Sequence, residues 1–210
     1  MKVNKDTQIY GSFSTNPGNN GCVFFNNAFE TYGINAIYKS FYADDLVKVV
    51  EAVKTLQFSG FAISMPFKID ILKYLDESEG AVTVIGAANT VVVGKDGYLI
   101  GYNTDYLGVM DYFIENKING AINIIGTGGF SKAIQYACKL MGIKYTVYSR
   151  HEISLISQVK DQIFINATPA DIESDQNKII DARPFADEGK QIASYQAKRQ
   201  FKIYTGINYA

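Results

Sequence analysis

The chain has 210 residues, of which 47% are hydrophobic and 13% aromatic, so it can bury one large core or two smaller ones. Its 20 Lys and Arg residues balance 21 Asp and Glu residues, and this near-neutral charge argues against nucleic acid as a main partner. The first residues lack the apolar stretch of a signal peptide, and no run approaches the length of a membrane span. We therefore expect a cytoplasmic protein that is not associated with a membrane.

The first half of the chain alternates strand-like and helix-like segments. Strands are predicted at residues 8–13, 36–42 and 60–64, and helices at residues 22–32, 43–56 and 67–75. The helix at 43–56 carries apolar residues at helical spacing and has Asp44 and Asp45 in its first turn, whereas Pro66 stands ahead of the helix at 67–75. Residues 90–93 and 98–102 flank Gly94-Lys95-Asp96-Gly97, which predicts a hairpin.

The second half follows a different order of elements. A connecting helix at 104–116 precedes a strand at 121–125, a glycine turn, a helix at 130–141 and a strand at 144–148. A short helix, a strand at 162–165 and a helix at 189–204 complete the chain. This strand–turn–helix–strand order is typical of a parallel sheet. The sequence therefore predicts an α/β protein with two lobes.

The glycine turn reads Gly126-Thr127-Gly128-Gly129 and follows an apolar run. Gly126 and Gly128 permit a tight turn and a close approach of a pyrophosphate to backbone N–H groups at the start of a helix, although Ser131 replaces the third glycine of the usual pattern. Ser149 and Arg150 close the next strand, and a guanidinium suits the 2′-phosphate of NADP. A tight turn without a ligand and a solvated surface arginine are the alternatives.

Lys68 and Asp105 lie upstream of this turn and suggest carbonyl or alcohol redox chemistry. Hydride reduction of a ketone leaves negative charge on oxygen, so a proton donor must lie nearby. An ammonium group supplies the proton, and a carboxylate keeps the lysine oriented and charged. The alternative is a pair of ordinary surface charges.

Two residue types exclude other chemistries. Cys22 and Cys138 lie far apart with no CxxC spacing, so we expect no disulfide framework and a reducing compartment. His151 is the only histidine of the sequence, which excludes zinc sites built from several histidines. We expect no metal.

Several blocks together carry a resemblance to a known family. They are Ser64-Met65-Pro66-Phe67-Lys68, Gly86-Ala87-Ala88-Asn89-Thr90, Gly101-Tyr102-Asn103-Thr104-Asp105, Gly126-Thr127-Gly128-Gly129, Asn166-Ala167-Thr168-Pro169 and Ser194-Tyr195-Gln196-Ala197. In this order they resemble the shikimate dehydrogenase family over nearly the whole chain. The resemblance implies a substrate domain at 1–103, a reduced Rossmann-like NADP-binding domain at 104–188 and a C-terminal helix at 189–210 that returns to the first lobe.

The resemblance also implies an activity and roles for single residues. The implied activity is the NADPH-linked reduction of 3-dehydroshikimate to shikimate, a step towards aromatic amino acids, in a monomer or homodimer. Lys68 and Asp105 fall on the catalytic pair. The implied substrate contacts are Ser64, which stands where the family usually has threonine, Asn89, Gln196 and, in the carboxylate loop, Ser14. The implied cofactor contacts are Gly126, Gly128, Gly129, Ser149, Arg150, Asn166 and Thr168.

The chain also departs from the family pattern. A loop at residues 14–21, rich in Asn and Gly, replaces the family's Ser-x-Ser-Pro motif, and we expect it to cover the substrate carboxylate; a surface turn with no ligand role is the alternative. Ala170-Asp171 replaces a glycine-methionine pair, the segment at 181–184 lacks the family's tyrosine, and the chain is shorter than its relatives. Two alternatives therefore stay open: a dehydrogenase of quinate or another cyclic hydroxy acid, and a catalytically weak relative that binds ligand.

Overall fold

Ten strands and six α-helices follow one another in the computed structural model, which describes residues 3–210 apart from the side chains of Arg150 and Leu155. They form two units. The first contains Met1–Thr104 together with Ala197–Ala210, and the second contains Asp105–Gln196. Because the first unit takes residues from both ends of the chain, it is discontinuous in sequence.

The first unit is built on a six-stranded sheet of order β2-β1-β3-β5-β6-β4. Its strands are β1 Gln8–Ser14, β2 Ala36–Tyr42, β3 Gly60–Ile63, β4 Glu77–Ser78, β5 Thr90–Val93 and β6 Leu99–Tyr102. Its helices are α1 Asn20–Thr31, α2 Leu46–Thr55 and α3 Gly80–Ile85. Strand β1 pairs in parallel with β2 and β3, whereas β5 pairs antiparallel with β3 and β6. The predicted hairpin is confirmed.

Both faces of this sheet are covered, because successive side chains of a strand point to opposite faces. On one face Phe13 packs with α2 residues in a cluster that also contains Phe61 and Val91. On the other face Tyr10 packs in an aromatic cluster with Phe25 and Phe29 of α1 and Phe201 of the last helix.

The second unit has a four-stranded sheet in which every pair is parallel, of order β10-β9-β7-β8. Its strands are β7 Ile122–Ile125, β8 Tyr145–Tyr148, β9 Ile163–Asn166 and β10 Lys178–Asp181, and its helices are α4 Asp105–Glu115 and α5 Gly129–Met141. All four residues of β7 are buried, as expected of a central parallel strand. The predicted α/β class with a Rossmann-like parallel sheet is confirmed.

Helix α6, Asp187–Thr205, contributes to both units. Within the second unit its backbone approaches Gly108 of α4, where an added Cβ would lie 2.9 Å from Gln196 N and 2.9 Å from Ile192 O. Within the first unit Phe201 is fully buried in the aromatic cluster. Gly108 is therefore a close-approach position rather than a flexible one.

The predicted helix at residues 67–75 is shorter than expected and is a 3-10 helix rather than an α-helix. The segment forms turns followed by a 3-10 helix at Asp70–Tyr74, and Lys68 lies in the turns rather than at a helix start. The carbonyl of Lys68 accepts a hydrogen bond from Ala88 N at 2.8 Å, so this tertiary contact replaces the bond that a helix would make there.

The start of α2 also differs from the prediction. Asp45 is the N-cap and accepts from Val47 N at 2.9 Å, whereas the prediction placed it inside the first turn. Its carboxylate therefore satisfies backbone donors that have no helical partner. The pattern did not predict β4, α3 or β10, and β4, with two residues, is too short to show a period.

Candidate active site

The carboxyl edge of the first sheet brings together three of the predicted substrate residues. Ser14 ends β1, Ser64 follows β3, and Asn89 precedes β5, which runs antiparallel to β3 and so begins at the same edge. Backbone bonds join these positions: Ser64 N donates to Phe13 O at 3.1 Å, and Ile63 N donates to Asn89 O at 2.8 Å. Ser64 is exposed, whereas Ser14 and Asn89 are buried.

Lys68 belongs to the same edge. Its carbonyl bond to Ala88 N holds its backbone beside Asn89, and its side chain is half-buried. Lys68 lies in turns before the 3-10 helix and not at the N-terminus of an α-helix, where the helix dipole disfavours a cation. The local fold therefore places Lys68 next to the buried amide of Asn89.

Asn89 is the centre of a buried polar network. Its Oδ1 accepts from Thr104 N at 2.8 Å and from Thr90 Oγ1 at 2.9 Å, and its Nδ2 donates to Thr104 Oγ1 at 2.9 Å. Gln200 Nε2 donates to Thr90 Oγ1 at 2.8 Å. Asn89, Thr90, Thr104 and Gln200 are each at most 5% exposed. Sequence reasoning did not identify Thr90, Thr104 or Gln200 as site residues.

A second polar cluster lies towards the end of β1 and β2. The hydroxyl groups of Ser12 and Ser40 are 3.0 Å apart, and Cys22 Sγ lies 3.3 Å from Ser40 Oγ. Cys22 belongs to the first turn of α1, which begins at Asn20. The predicted carboxylate loop at residues 14–21 therefore runs from the end of a strand directly into a helix, and its last residues are helical.

The second unit holds the other predicted catalytic residue. Asp105 begins α4, is fully buried, and accepts a hydrogen bond from Gln196 Nε2 at 2.6 Å. The two residues are 91 positions apart, and the close packing of Gly108 against α6 brings their helices to this distance. A buried carboxylate with an amide donor has an orientation fixed by its partner.

The glycine turn has the shape that a phosphate requires. Gly126 has φ +119°, and a Cβ there would lie 3.0 Å from Ala167 O, so a side chain would be strained and crowded. Gly128 is the N-cap of α5, and a Cβ there would meet nothing within 4 Å. Ser131, fully buried, donates from Oγ to Gly126 O at 2.6 Å. The turn thus leaves open space above a helix N-terminus, and it fits a dinucleotide pyrophosphate.

Ser149 and Arg150 follow β8. Ser149 donates to Glu152 Oε2 both from its N, at 2.8 Å, and from Oγ, at 2.7 Å, in a capping box. The hydrogen bonds from the Ser149 side chain and then its backbone lower the pKa of Glu152 below its usual 4.5. Arg150 as a predicted phosphate ligand lies outside what the structure describes, since its side chain is not described. Glu152, which sequence reasoning overlooked, puts a negative charge here.

Asn166 and Thr168 lie beyond β9 and use their side chains to shape their own loop. Asn166 Oδ1 accepts from Thr168 N at 3.0 Å and from Thr168 Oγ1 at 2.8 Å, and Asn166 Nδ2 donates to Ala170 O at 2.8 Å. Ala167 N donates to Ile125 O at 2.9 Å, which sets this loop beside the glycine turn. The side chains of Asn166 and Thr168 thus stabilise the loop that lies beside the glycine turn.

Known proteins resemble this chain in sequence and in fold. The family model for the shikimate dehydrogenase substrate binding domain matches residues 21–91. A shikimate dehydrogenase-like protein of Haemophilus influenzae is 36% identical over 152 residues, covering 71% of this chain and 56% of the relative. A shikimate dehydrogenase (NADP(+)) of Bacillus cereus is 35% identical over 176 residues, covering 80% of this chain and 61% of the relative. The chain belongs to the shikimate dehydrogenase family.

The fold agrees with this family. The solved structure of a shikimate 5-dehydrogenase-like protein superposes with a TM-score of 0.79 at 27% identity, covering 100% of this chain and 95% of that one. The predicted membership of the shikimate dehydrogenase family is confirmed. The chain spans about three fifths of the length of the curated relatives it matches.

Two features are absent among residues 3–210. No helix of this part of the chain combines the length and apolar character that crossing a membrane requires. The same residues contain no group of three or more His, Cys, Asp and Glu side chains arranged to hold a metal ion.

Proposed function

We propose that this member of the shikimate dehydrogenase family is an NADP-dependent oxidoreductase that reduces 3-dehydroshikimate to shikimate. The observation that carries the proposal is the arrangement at the edge of the first sheet. There the buried amide of Asn89, which is hydrogen-bonded to Thr90 and Thr104, lies beside the backbone of Lys68. The hydroxyl-bearing Ser64 is close to it. A polyhydroxylated ring needs such fixed hydrogen-bonding groups, because each substrate hydroxyl must be met by a partner.

The cofactor assignment is supported by the glycine turn. Gly126, Gly128 and Gly129 are the proposed pyrophosphate contacts, Ser149 and Arg150 the proposed contacts of the adenosine end, and Asn166 and Thr168 the wall of the turn. NADPH, when bound, supplies the hydride. The chain is proposed to hold the cofactor by backbone N–H groups of the turn. Ala167 packs closely against Gly126, and this contact keeps the turn in its conformation.

Proton transfer is assigned to Lys68 and Asp105. As hydride reaches the carbonyl carbon, the ammonium of Lys68 donates a proton to the carbonyl oxygen, which becomes the product hydroxyl, and the carboxylate of Asp105 keeps the lysine oriented and charged. Asp105 is itself oriented by Gln196 Nε2 at 2.6 Å. A positioned acid of this kind is worth about 10² to 10⁴ in rate.

Substrate recognition is assigned to Ser64, Asn89 and Gln196 for the ring hydroxyls and to Ser14 for the carboxylate. Ser12, Ser40 and the loop at residues 14–21 supply further hydroxyl and backbone donors near the end of β1. Amide and backbone donors can hold a carboxylate without a cation.

A second candidate substrate is quinate or a related cyclic hydroxy acid. It is favoured by the altered carboxylate loop, whose last residues lie in the first turn of α1, and by Ala170-Asp171 in the loop that Asn166 supports. A catalytically weak, ligand-binding relative is the alternative from a different class, since the chain spans only about three fifths of its curated relatives.

One assay separates these candidates. The purified chain is mixed with shikimate or quinate, each with NADP or NAD, and the absorbance of the reduced nicotinamide is followed. We expect the highest kcat/KM with shikimate and NADP. Turnover confined to quinate overturns the substrate assignment. Binding of shikimate in calorimetry without turnover in any combination identifies the ligand-binding relative instead. The cytoplasmic location and the monomer or homodimer stay predictions, which cell fractionation and light scattering test.

A further inference from the structure

Gln200 and Thr90 stand outside the residues assigned to substrate, yet they belong to the network around Asn89. Both are buried: the exposed fraction is 0% for Thr90 and 5% for Gln200. Gln200 reaches Thr90 across 110 positions of sequence, from α6 to the first residue of β5. A buried hydrogen bond between two elements so far apart in sequence fixes their positions in the fold. Both polar atoms need this bond, because burial removes the water molecules that would otherwise bind them.

The bonds have a direction. Gln200 Nε2 can only donate, so Thr90 Oγ1 accepts at 2.8 Å and its hydrogen is turned towards Asn89 Oδ1, 2.9 Å away. Asn89 Oδ1 also accepts from Thr104 N at 2.8 Å, which occupies both of its lone pairs. The amide of Asn89 therefore keeps its oxygen towards Thr90 Oγ1 and Thr104 N, and its Nδ2 group is the donor, with a bond to Thr104 Oγ1 at 2.9 Å.

We propose that Gln200 and Thr90 are positioning residues that hold the Asn89 amide with its nitrogen as the donor to a substrate hydroxyl. This deepens the proposed function and rests on Asn89 as a substrate contact. Without the hydrogen bond from Thr90, the Asn89 amide loses one of the groups that distinguish its oxygen from its nitrogen. The flipped amide would place an oxygen where the substrate hydroxyl meets a nitrogen, and the affinity for shikimate would fall.

The variants separate the hydroxyl from the shape of the side chain. Thr90→Val keeps the β-branched shape and removes the hydroxyl, whereas Thr90→Ser keeps the hydroxyl and removes a methyl group. Gln200→Met removes the amide at similar length. Gln191→Met is the matched control on the same helix, since Gln191 bonds only to Tyr195 OH, at 3.2 Å, among the contacts of residues 3–210.

Two measurements test the proposal. The first is the exchange rate of the Asn89 side-chain amide hydrogens, observed by NMR in the free protein with ¹⁵N-labelled asparagine. The second is the Kd of shikimate from calorimetry without cofactor. We expect Thr90→Val and Gln200→Met each to raise the exchange rate and the Kd about two- to tenfold. This range corresponds to the free energy of one lost hydrogen bond. Thr90→Ser and Gln191→Met should stay within about twofold of wild type.

A double variant sharpens the test. If Gln200 acts through Thr90, Thr90→Val with Gln200→Met raises the Kd by less than the product of the two single effects. Unchanged amide exchange in both single variants overturns the proposal, and so does Thr90→Ser behaving like Thr90→Val. Faster exchange with unchanged Kd also overturns it. A wild-type chain that binds no shikimate refutes the proposed substrate instead, and the exchange rates then decide the positioning role alone.

Discussion

Gln196 donates from Nε2 to Asp105 Oδ1 at 2.6 Å and so gives a fully buried carboxylate a neutral hydrogen-bond donor. The contact joins α6 to the first residue of α4 within the second unit. One side chain therefore has two consequences in the proposed enzyme: it gives a buried carboxyl group a hydrogen-bond partner, and it orients the group that is proposed to act with Lys68.

Removing this donor should lower the stability of the fold. We expect Gln196→Leu to reduce the free energy of unfolding by about 1–3 kcal/mol, because a buried carboxylate then has one donor fewer. Urea denaturation measures the change. Gln191→Leu, on the same helix, should stay within about 0.5 kcal/mol of wild type. Equal stability of the Gln196 variant and wild type would show that solvent or another group replaces the donor.

Lys68 should matter to the rate. We expect Lys68→Met to lower kcat by about 10² to 10⁴ and to keep the hydrogen bond from Ala88 N, which is accepted by the backbone of residue 68. Lys73→Met is the control, because Lys73 is exposed and forms an ion pair with Asp70 at 2.7 Å. Steady-state kinetics with shikimate and NADP decide the matter, and near-normal turnover of Lys68→Met excludes it as the acid.

Arg150 and Glu152 should act on cofactor choice in opposite directions. A charge-assisted bond to the 2′-phosphate is worth roughly 1.5–3 kcal/mol, so Arg150→Ala should weaken NADP about ten- to a hundredfold and NAD little. Glu152 carries a carboxylate, bonded to Ser149, that repels a phosphate. Glu152→Gln should therefore tighten NADP several-fold and leave NAD unchanged, as measured by KM for each cofactor. Equal changes for both cofactors would refute these roles.

Asp181 should give the fold a specific sensitivity to acid. Burial raises its pKa, but hydrogen bonds from the side chain and backbone of Arg183, together with its charge, hold the pKa below the usual 3.8. A carboxyl whose pKa is lower in the folded state stabilises the fold above its unfolded pKa, and the contribution disappears as the pH falls through the folded value. We expect Asp181→Asn to be less stable than wild type at neutral pH and to approach it below about pH 3.8.

Urea denaturation midpoints of wild type and Asp181→Asn, measured from neutral pH to below about pH 3.8, test the expectation. Asp187→Asn is the control, because Asp187 is 97% exposed and pairs with Lys190 at the surface, where such a pair is worth little. A constant difference between wild type and Asp181→Asn at every pH would mean that the carboxylate acts through packing rather than through its charge.

Local signals in the sequence account for the elements that were predicted, and distant contacts account for those that were not. Strand β2 matches its predicted residues 36–42, and the hairpin follows from its turn residues. The segment around Lys68 could not be predicted, because Ala88 binds its carbonyl. In the site, Ser149 and Glu152 carry a visible capping-box pattern that was overlooked. Gln200 shows no local signal, since its partner Thr90 is 110 positions away.

The discontinuity of the first unit has a consequence for how the protein is made. Synthesis proceeds from the N-terminus, so the six-stranded sheet leaves the ribosome well before Phe201, which fills its aromatic core, and before Gln200, which meets Thr90. The second unit, Asp105–Gln196, is complete in the nascent chain before either residue emerges. Translation of the first unit therefore begins before that of the second and ends after it, and a prematurely terminated chain keeps an exposed apolar face.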